Sequence, residues 1–478
     1  MATAARTPVD LADVDLYSQG IPHEVFAAVR ATPGLCWNQI TGSDQAPATP
    51  GVGTAQAATA PATPGVGTAQ ASAAPATPGN NTAPGVGTAQ ASAAPATPGN
   101  SRAPGDSNGF WAVTRYADVV EISRDATTYS SAVGHIQIYD IDEDALEARA
   151  SMIDMDPPVH TRLRRLVSSA FTPRHVLEYQ RMIRDRVRRC LDDITATGGG
   201  DWIAAVAKPI PISVICDLMG VPEADHDYMI ELSDYLVAGT SNEPLEPDAY
   251  GNTTELRLLP FNSPAAHGIN EYARELGEQR RRQPADDLIT KLINTEVDGE
   301  RLSDNEFTNF FRLMIFAGNE TTRSAIGHLA LLCHRFGEEF ARLTDDRSLI
   351  ESGAEEVIRY SSPILYFRRT VTRDAELSGT PLKEGDKVVM WYAAANFDET
   401  VFDDPHRFDL SRPVPPASVA FGGGGAHFCL GAPLARLELA ILLDEIAARN
   451  LTIEVVGEPE FVRSNFVNGI EHVEVRIQ

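Results

Sequence analysis

The stretch Phe421-Gly-Gly-Gly-Gly-Ala-His-Phe-Cys-Leu-Gly-Ala-Pro-Leu-Ala-Arg436 is a glycine-rich loop that leads into a predicted helix and carries one thiol, Cys429, at the junction. A thiolate at a helix N-terminus can accept free backbone N–H groups and is stabilised by the helix dipole, which predicts a lowered pKa and a good iron ligand. The glycines, including Gly422 and Gly431, would let the backbone approach a broad, flat ligand closely. The alternative is a structural cysteine, because free cysteine is often buried.

This stretch resembles the haem-binding signature of the cytochrome P450 family, the haem-thiolate monooxygenases. The matching residues are Phe421, Gly422, His427, Cys429, Gly431 and Ala435. Phe421 stands eight residues before Cys429, a spacing similar to that of bacterial members acting on sterols and methyl-branched lipids. The resemblance implies a haem b held by Cys429 as the iron ligand, with Gly422 and Gly431 against the haem and His427 on a propionate.

A second segment, Ala317-Gly-Asn-Glu-Thr-Thr-Arg323, lies in a predicted long helix. The capping box Ser303-Asp-Asn-Glu306 marks its start, and a helix reaching Gly337 would be roughly 50 Å long. Glycine and hydroxyl side chains weaken the middle of a helix, which indicates either a simple kink or a groove for dioxygen and water. By resemblance to the family, Glu320 and Thr321 are the acid and alcohol that relay protons there.

Glu356-Val-Ile-Arg359 places an acid and a base three residues apart on a predicted helix, about seventy residues before the cysteine loop. By itself, such a pair is a common and weak ion pair on a helix surface. It resembles a motif of the same family, and that resemblance implies that Arg407 joins Glu356 and Arg359 in a structural lock of the segment leading to Cys429.

Basic residues in two further segments resemble haem-propionate ligands. His160 and Arg164 are four residues apart, so they project from one helical face, and Arg369 lies in a predicted strand. The resemblance implies that all three hold propionates through charge-assisted hydrogen bonds. The alternative for each is a solvated surface base.

Composition limits the possible functions. The chain has 478 residues, 43% of them apolar, and a net charge of −26, which argues against nonspecific nucleic-acid binding. Its 5 cysteines are scattered and show no zinc-like spacing. Residues 1–30 contain neither a secretory signal nor a membrane anchor, so we expect a cytoplasmic protein.

The resemblance also implies electrons from NAD(P)H through separate partners, a ferredoxin and a ferredoxin reductase. A local cluster of basic residues in segments expected near the cysteine side of the haem predicts docking of an acidic ferredoxin. Its members are Arg162, Arg164, Arg165 and Arg436.

Residues 46–101 contain no charged or aromatic residue, and residues 64–80 recur unchanged as 84–100. Such a composition cannot bury enough surface to offset the entropy of ordering, which predicts disorder. Predicted strands at 35–38 and 109–115 flank the repeat. The family resemblance implies that these strands form one hairpin, so we interpret the repeat as an insertion at the hairpin tip. The alternative is a stalk for a partner or for glycosylation.

The remaining pattern predicts one α+β domain over residues 1–478, mainly helical, with a small dispersed sheet, as in the cytochrome P450 fold. Helical patterns include 176–190 and 202–219, and strand patterns cluster at 365–377, 387–391 and 451–476.

Candidate substrate-pocket residues are apolar, which indicates a lipophilic substrate. They are Ile136, Ile138, Phe316, Ile364 and Leu365. Subgroup resemblance implies hydroxylation or epoxidation of a sterol- or terpenoid-like molecule. A tailoring oxidase of a polyketide or other secondary metabolite is an alternative, because the predicted lid at 241–266 is long and polar. A haem-thiolate peroxygenase or a haem sensor would not need the Glu320–Thr321 pair.

Overall fold

The computed structural model describes residues 5–41, 108–140, 151–238, 264–296 and 299–478. Helices predominate in these ranges. The α-helices are α1 (His23–Ala31), α2 (Tyr116–Arg124), α3 (Val159–Ser168), α4 (Pro173–Glu178), α5 (Gln180–Ala196), α6 (Pro209–Met219), α7 (His226–Ala238), α8 (Pro264–Arg282), α9 (Leu288–Asn294), α10 (Asp304–Arg335), α11 (Gly337–Asp345), α12 (Ile350–Ser361), α13 (Tyr392–Ala395) and α14 (Ala432–Ala448). The repeat at 46–101 and most of the predicted lid at 241–266 lie outside the described residues.

The longest described helix, α10, has 32 residues and is about 48 Å long at 1.5 Å per residue. The predicted capping box is present, with the Ser303 side chain accepting from the Glu306 N–H while the Glu306 carboxylate accepts from the Ser303 N–H. Helix α10 packs against α6, α8 and α12, and it runs without interruption through the Gly318 to Thr322 segment.

Strands in the described part of the chain form four small sheets. The strands are β1 (Cys36–Gln39), β2 (Gly109–Val113), β3 (Tyr129–Ser130), β4 (Gly199–Asp201), β5 (Tyr366–Val371), β6 (Ala375–Leu377), β7 (Thr380–Leu382), β8 (Lys387–Trp391), β9 (Ile453–Val455), β10 (Glu460–Phe461), β11 (Ile470–His472) and β12 (Glu474–Ile477). The largest sheet has the order β1-β2-β8-β5-β3, and the others are β4-β12-β9, β6-β7 and β10-β11. Many helices with small dispersed sheets confirm the predicted fold class.

Strands β1 and β2 pair antiparallel, as the sequence predicts, although about seventy residues separate them. Trp37 and Trp111 lie directly opposite each other with ring centroids 5.3 Å apart, a cross-strand aromatic contact that stabilises the pairing. The Ile40 N–H donates to the Asn108 carbonyl at 3.3 Å. Residues 40 and 108 are therefore adjacent in the structure. At such a position, lengthening the segment that connects them adds little to the entropic cost of closing the loop.

Helix α14, which follows the cysteine loop, is held against α5 by a cluster of charges around Glu445. Arg184 donates to Glu445 at 2.5 Å and Arg188 at 3.0 Å, and Arg449 completes the cluster. Burial opposes ionisation of Glu445, but these hydrogen bonds lower its pKa to about 2. The cluster fixes the helix that follows the cysteine loop. No helix among the described residues is both long and apolar enough to cross a membrane.

Candidate active site

An internal cavity lies where α10, α3 and the loop before α14 meet, and it encloses about 1400 Å³ of space, including the part that is open to solvent. Helix α10 contributes residues from Phe310 to Ala325, α3 contributes His160 and Arg164, and the loop contributes Cys429. Cys429 is exposed, and the space that it faces is this cavity. The structure thus brings the predicted iron ligand and three of the predicted propionate ligands, His160, Arg164 and His427, to one cavity, whereas Arg369 is not part of its wall.

The Cys429 sulfur lies at the N-terminus of α14, which has no side-chain cap. The backbone N–H groups of Gly431 and Ala432 donate to the sulfur instead, and the charges of Arg164 and Arg436 also favour the thiolate. Although the Cys429 side chain borders the cavity, desolvation by the surrounding protein outweighs these effects and raises the pKa of the free thiol, so the lowered pKa predicted from the sequence is wrong for the unliganded protein. The same donors would still stabilise a metal-bound thiolate.

The glycines of the loop serve two different purposes. A Cβ at Gly431 would meet nothing within 4 Å, and Gly422 has φ of 91° and faces the cavity, as expected for a close approach to a flat ligand. By contrast, a Cβ at Gly423 would lie 2.8 Å from the Ser123 hydroxyl, and one at Gly425 would collide with the Ser123 carbonyl oxygen. The prediction that all four glycines lie against the ligand is therefore wrong for these two, which pack against α2.

Cationic and donor groups gather at one end of the cavity. The rings of His160 and His427 lie 4.2 Å apart, and burial lowers their pKa values to about 4 and about 2, with Arg164 and Arg369 adding repulsion. Both imidazoles are therefore neutral. His427 Nε2 lies 3.1 Å from the Ser131 hydroxyl.

The described structure offers few acceptors for His160 and few negative charges for Arg164 and Arg369. The buried Nδ1 of His160 has no hydrogen-bond partner there. Arg164 donates to the carbonyls of Ala426 and Phe428, and Arg369 donates to the Arg368 carbonyl. Neither arginine forms an ion pair with any described carboxylate, although burial lowers both pKa values. Two poorly neutralised cations and an unsatisfied imidazole beside a thiol fit the propionates and the iron of a haem.

The predicted acid and alcohol point in different directions. Thr321 lines the cavity, and its hydroxyl donates to the Ala317 carbonyl at 2.8 Å. Glu320 is buried outside the cavity wall, with Arg323 at 3.7 Å and with its carboxylate facing the Gly469 backbone. Adjacent residues on a helix diverge by about 100°, and here Thr321 and Thr322 border the cavity whereas Glu320 does not.

Of the five residues predicted to line the substrate pocket, the structure places Ile364 in the cavity wall and the other four elsewhere. Ile136, Ile138 and Leu365 instead belong to a buried cluster around Trp391. Leu365 follows Ile364 in extended backbone, where successive side chains point to opposite faces.

Phe316 packs against the helical core and is not part of the described cavity wall. The wall residues on α10 that the sequence interpretation missed are Phe310, Leu313 and Met314. They share a face with Thr321 by the spacing of three to four residues that defines a helical stripe, whereas Phe316 lies five residues away, on another face. That spacing was a usable sequence signal.

The Glu356–Arg359 lock is present, but its third member is not Arg407. Glu356 accepts two hydrogen bonds from Arg359, at 2.7 and 2.8 Å, and two from Arg412 Nε, at 3.0 and 3.1 Å. Arg407 is exposed and pairs with Asp409. Arg412 also donates to the carbonyls of Asp403 and Arg407, so Arg412 rather than Arg407 completes the cluster around Glu356.

Comparisons with known proteins agree with this site. A model described as Cytochrome P450 matches residues 344–458. The chain is 40% identical over 372 residues to a methyl-branched lipid omega-hydroxylase of Mycobacterium tuberculosis, covering 77% of this chain and 84% of that protein. It is 32% identical over 472 residues to a steroid C26-monooxygenase of Rhodococcus jostii, covering 98% of this chain and 84% of that protein.

Among solved structures, a cytochrome P450 of Mycobacterium marinum in complex with pseudoionone superposes with a TM-score of 0.75 and 32% identity over 100% of both chains. The chain therefore belongs to the cytochrome P450 family. It is a haem-dependent monooxygenase of the bacterial subgroup that includes lipid and steroid hydroxylases.

Proposed function

We propose that this monooxygenase inserts one oxygen atom from dioxygen into a C–H bond of a sterol- or terpenoid-like substrate in the cytoplasm. The observation that carries the proposal is the apolar cavity wall on the Thr321 side, where Phe310, Leu313 and Met314 of α10 join Ile215 and Ile364. Such a wall binds a lipophilic molecule by removing apolar surface from water. Relatives named for steroids and branched lipids support the same class.

A haem b fits the cavity with Cys429 as its iron ligand. When bound, it supplies the dioxygen chemistry of an iron with a thiolate ligand, which favours cleavage of the O–O bond. Arg164, Arg369 and His160 would hold the propionates, because each has donor capacity that the described residues leave unused. His427 would add a fourth donor beside them.

Thr321 would position water at the reacting centre. Its hydroxyl donates to the Ala317 carbonyl, so its lone pairs remain free to accept a hydrogen bond from water, which can then pass a proton. After a change of rotamer, Glu320 would reach this water from the neighbouring side of the helix and relay protons to it, with Arg323 balancing its charge. The apolar wall excludes other water molecules from the centre.

Electrons would come from NAD(P)H through a ferredoxin reductase and a ferredoxin that docks near the cysteine loop. The basic cluster predicted from the sequence is partly neutralised, because Arg162 pairs with Glu300 and Glu306 and Arg436 pairs with Glu355. We therefore expect reduction rates to fall with rising salt, but less steeply than four free arginines would give. Stopped-flow reduction at several ionic strengths measures this slope.

The first experiment tests the haem-thiolate site. The reduced carbon monoxide complex of the parent protein should show the red-shifted Soret band of a thiolate ligand. Cys429→Ser should abolish that band, whereas Cys190→Ser, at a half-buried cysteine away from the cavity wall, should retain it. A thiolate spectrum that survives Cys429→Ser would exclude Cys429 as the ligand.

The second experiment tests the substrate class. Cholestenone, pseudoionone and a macrolactone are titrated into the holoprotein, displacement of the water bound to iron is followed spectroscopically, and products are identified by mass spectrometry. We expect the steroid or the isoprenoid to bind and to be hydroxylated with surrogate redox partners. Binding of the macrolactone alone would support the polyketide alternative. Turnover driven by peroxide but not by reductase would support a peroxygenase.

A further inference from the structure

One part of the cavity wall belongs to neither a helix nor a strand. Residues 362–365 connect α12 to β5 and contribute Pro363 and Ile364 to the wall. Behind them lies the β10–β11 loop, residues 462–469, where Val467 forms an isolated antiparallel bridge with Ile364. The position of the wall at Ile364 therefore depends on what holds this loop.

Asn468 joins the β10–β11 loop to its neighbours through three hydrogen bonds. Its N–H donates to the Pro363 carbonyl at 2.9 Å, and its side-chain amide donates to the Ser361 carbonyl at 2.5 Å. Its own carbonyl accepts from Nε2 of His328 at 3.0 Å. Asn468 is buried, so little water is available to replace these partners. One residue thus connects α10 to the wall segment.

His328 lies on α10, seven residues after Thr321, which is about two helical turns. Its Nε2 must carry the proton, because a carbonyl oxygen can only accept. Burial lowers the pKa of His328 to about 4, so the ring is neutral at pH 7. An enclosed imidazole N–H without a partner would cost stability, and the bond to Asn468 satisfies it.

Two glycines bring the β10–β11 loop and α10 close together. A Cβ at Gly327 would lie 2.9 Å from the Ile203 side chain and 3.7 Å from Ile470 of β11. A Cβ at Gly469 would lie 2.9 Å from the Val462 side chain. Because both positions leave no room for a side chain, the loop packs on α10 with little freedom to shift.

We propose that His328 is a positioning residue that determines substrate specificity, because through Asn468 it fixes the wall at Ile364 relative to Thr321. The helix that carries the hydroxyl at the reacting centre also carries the anchor of this wall. A displaced wall would change how tightly a substrate binds and which carbon reaches the centre. The proposal rests on the function proposed above. His328 is not part of the cavity wall, so it acts through the loop.

Three variants separate this role from general support of the fold. His328→Leu removes the donor, whereas the side-chain amide of His328→Gln can still donate to the Asn468 carbonyl. His226→Leu is the matched control. His226 is buried, its Nε2 donates to the Val221 carbonyl at 3.2 Å, and it is not part of the cavity wall. Haem content and unfolding temperature are measured for all three.

Hydrogen exchange of the holoprotein, followed by mass spectrometry, tests the anchor without any substrate. The amides of Asn468 and Leu365 donate to the carbonyls of Pro363 and Phe466. We expect both amides to exchange faster in His328→Leu, near the parental rate in His328→Gln, and at the parental rate in His226→Leu. Parental exchange in His328→Leu would show that other contacts hold the loop, and it would overturn the proposal.

Two iron-binding probes test the wall itself. Imidazole and 4-phenylimidazole are titrated into each holoprotein, and the ratio of their dissociation constants reports the wall, because only the second carries a phenyl group. We expect His328→Leu to weaken 4-phenylimidazole relative to imidazole by about fivefold, the worth of one net hydrogen bond. His328→Gln should restore the ratio, and His226→Leu should leave it parental. A parental ratio in His328→Leu, or equal changes in both leucine variants, would refute the proposal.

Product analysis completes the test. With pseudoionone and surrogate redox partners, we expect His328→Leu to spread oxidation over more positions than the parent protein does. If His328→Leu loses only haem or stability and keeps the parental probe ratio and products, the residue is structural and the proposal is wrong. If the parent oxidises neither pseudoionone nor cholestenone, the substrate class proposed above is wrong, whereas the probe ratio still decides the role of His328.

Discussion

Replacing Arg412 or Arg407 with alanine tests which arginine completes the lock behind the cysteine loop. Arg412 is 9% exposed, and its guanidinium donates to both Glu356 oxygens and to the carbonyls of Asp403, Asp404 and Arg407. Removal of one partner of a buried ion pair costs about 3–5 kcal/mol. We expect the lower end for Arg412→Ala, about 3 kcal/mol, because Arg359 still balances the Glu356 charge.

Arg407→Ala is the matched control. Arg407 is exposed and pairs only with Asp409 in the described structure, and exposed pairs contribute little, so we expect no measurable change in stability. Urea unfolding of the holoprotein, followed by circular dichroism and by the Soret band, measures both variants. Arg412→Ala should lose haem earlier in the titration than the parent. Equal destabilisation by the two substitutions, or a larger effect of Arg407→Ala, would refute the assignment.

Three further predictions follow from the site and the fold. Thr321→Ala should keep haem content near normal but release peroxide in place of product, because the proposed role of the hydroxyl is to position water and its hydrogen bond stays within the same helix; unchanged coupling would remove it from the reaction. Gly425→Ala should lower the unfolding temperature of the holoprotein, because its Cβ would collide with the Ser123 carbonyl and φ is 74°. Gly457→Ala should lower it less, because the space around its Cβ is open and only backbone strain opposes the substitution. Replacement of residues 46–101 by Asn-Gly should preserve haem binding and turnover; strong hydrogen-exchange protection of the repeat would contradict its interpretation as a disordered insertion.

Features encoded within a few neighbouring residues could be predicted from the sequence. The capping box at Ser303 and the cysteine at a helix start are local patterns, and the structure has both. The pairing of β1 with β2 was expected from the family resemblance, and a hairpin tip tolerates a long insertion. In the two local patterns the atoms that interact are close in the chain.

Features that depend on which face of an element meets which neighbour could not all be predicted. Phe316 and Leu313 are equally apolar, and their spacing from Thr321 separates them only once Thr321 is known to face the cavity. Gly423 and Gly425 look identical to Gly422 in the sequence, yet α2 rather than the cavity lies against them. Arg407 and Arg412 are five residues apart in an irregular segment, where no helical or strand period tells which one turns inward.

Protonation is the property that the tertiary structure decides most completely. Glu438 and Glu445 are the same residue type on one helix, and the sequence alone assigns both the same pKa. Packing places Arg184, Arg188 and Arg449 around Glu445 and lowers its pKa, whereas burial alone raises the pKa of Glu438. Because the free energy of a charge depends on the dielectric and the charges within a few ångströms, the sequence determined that an acid is present, and only the fold determined whether it is ionised.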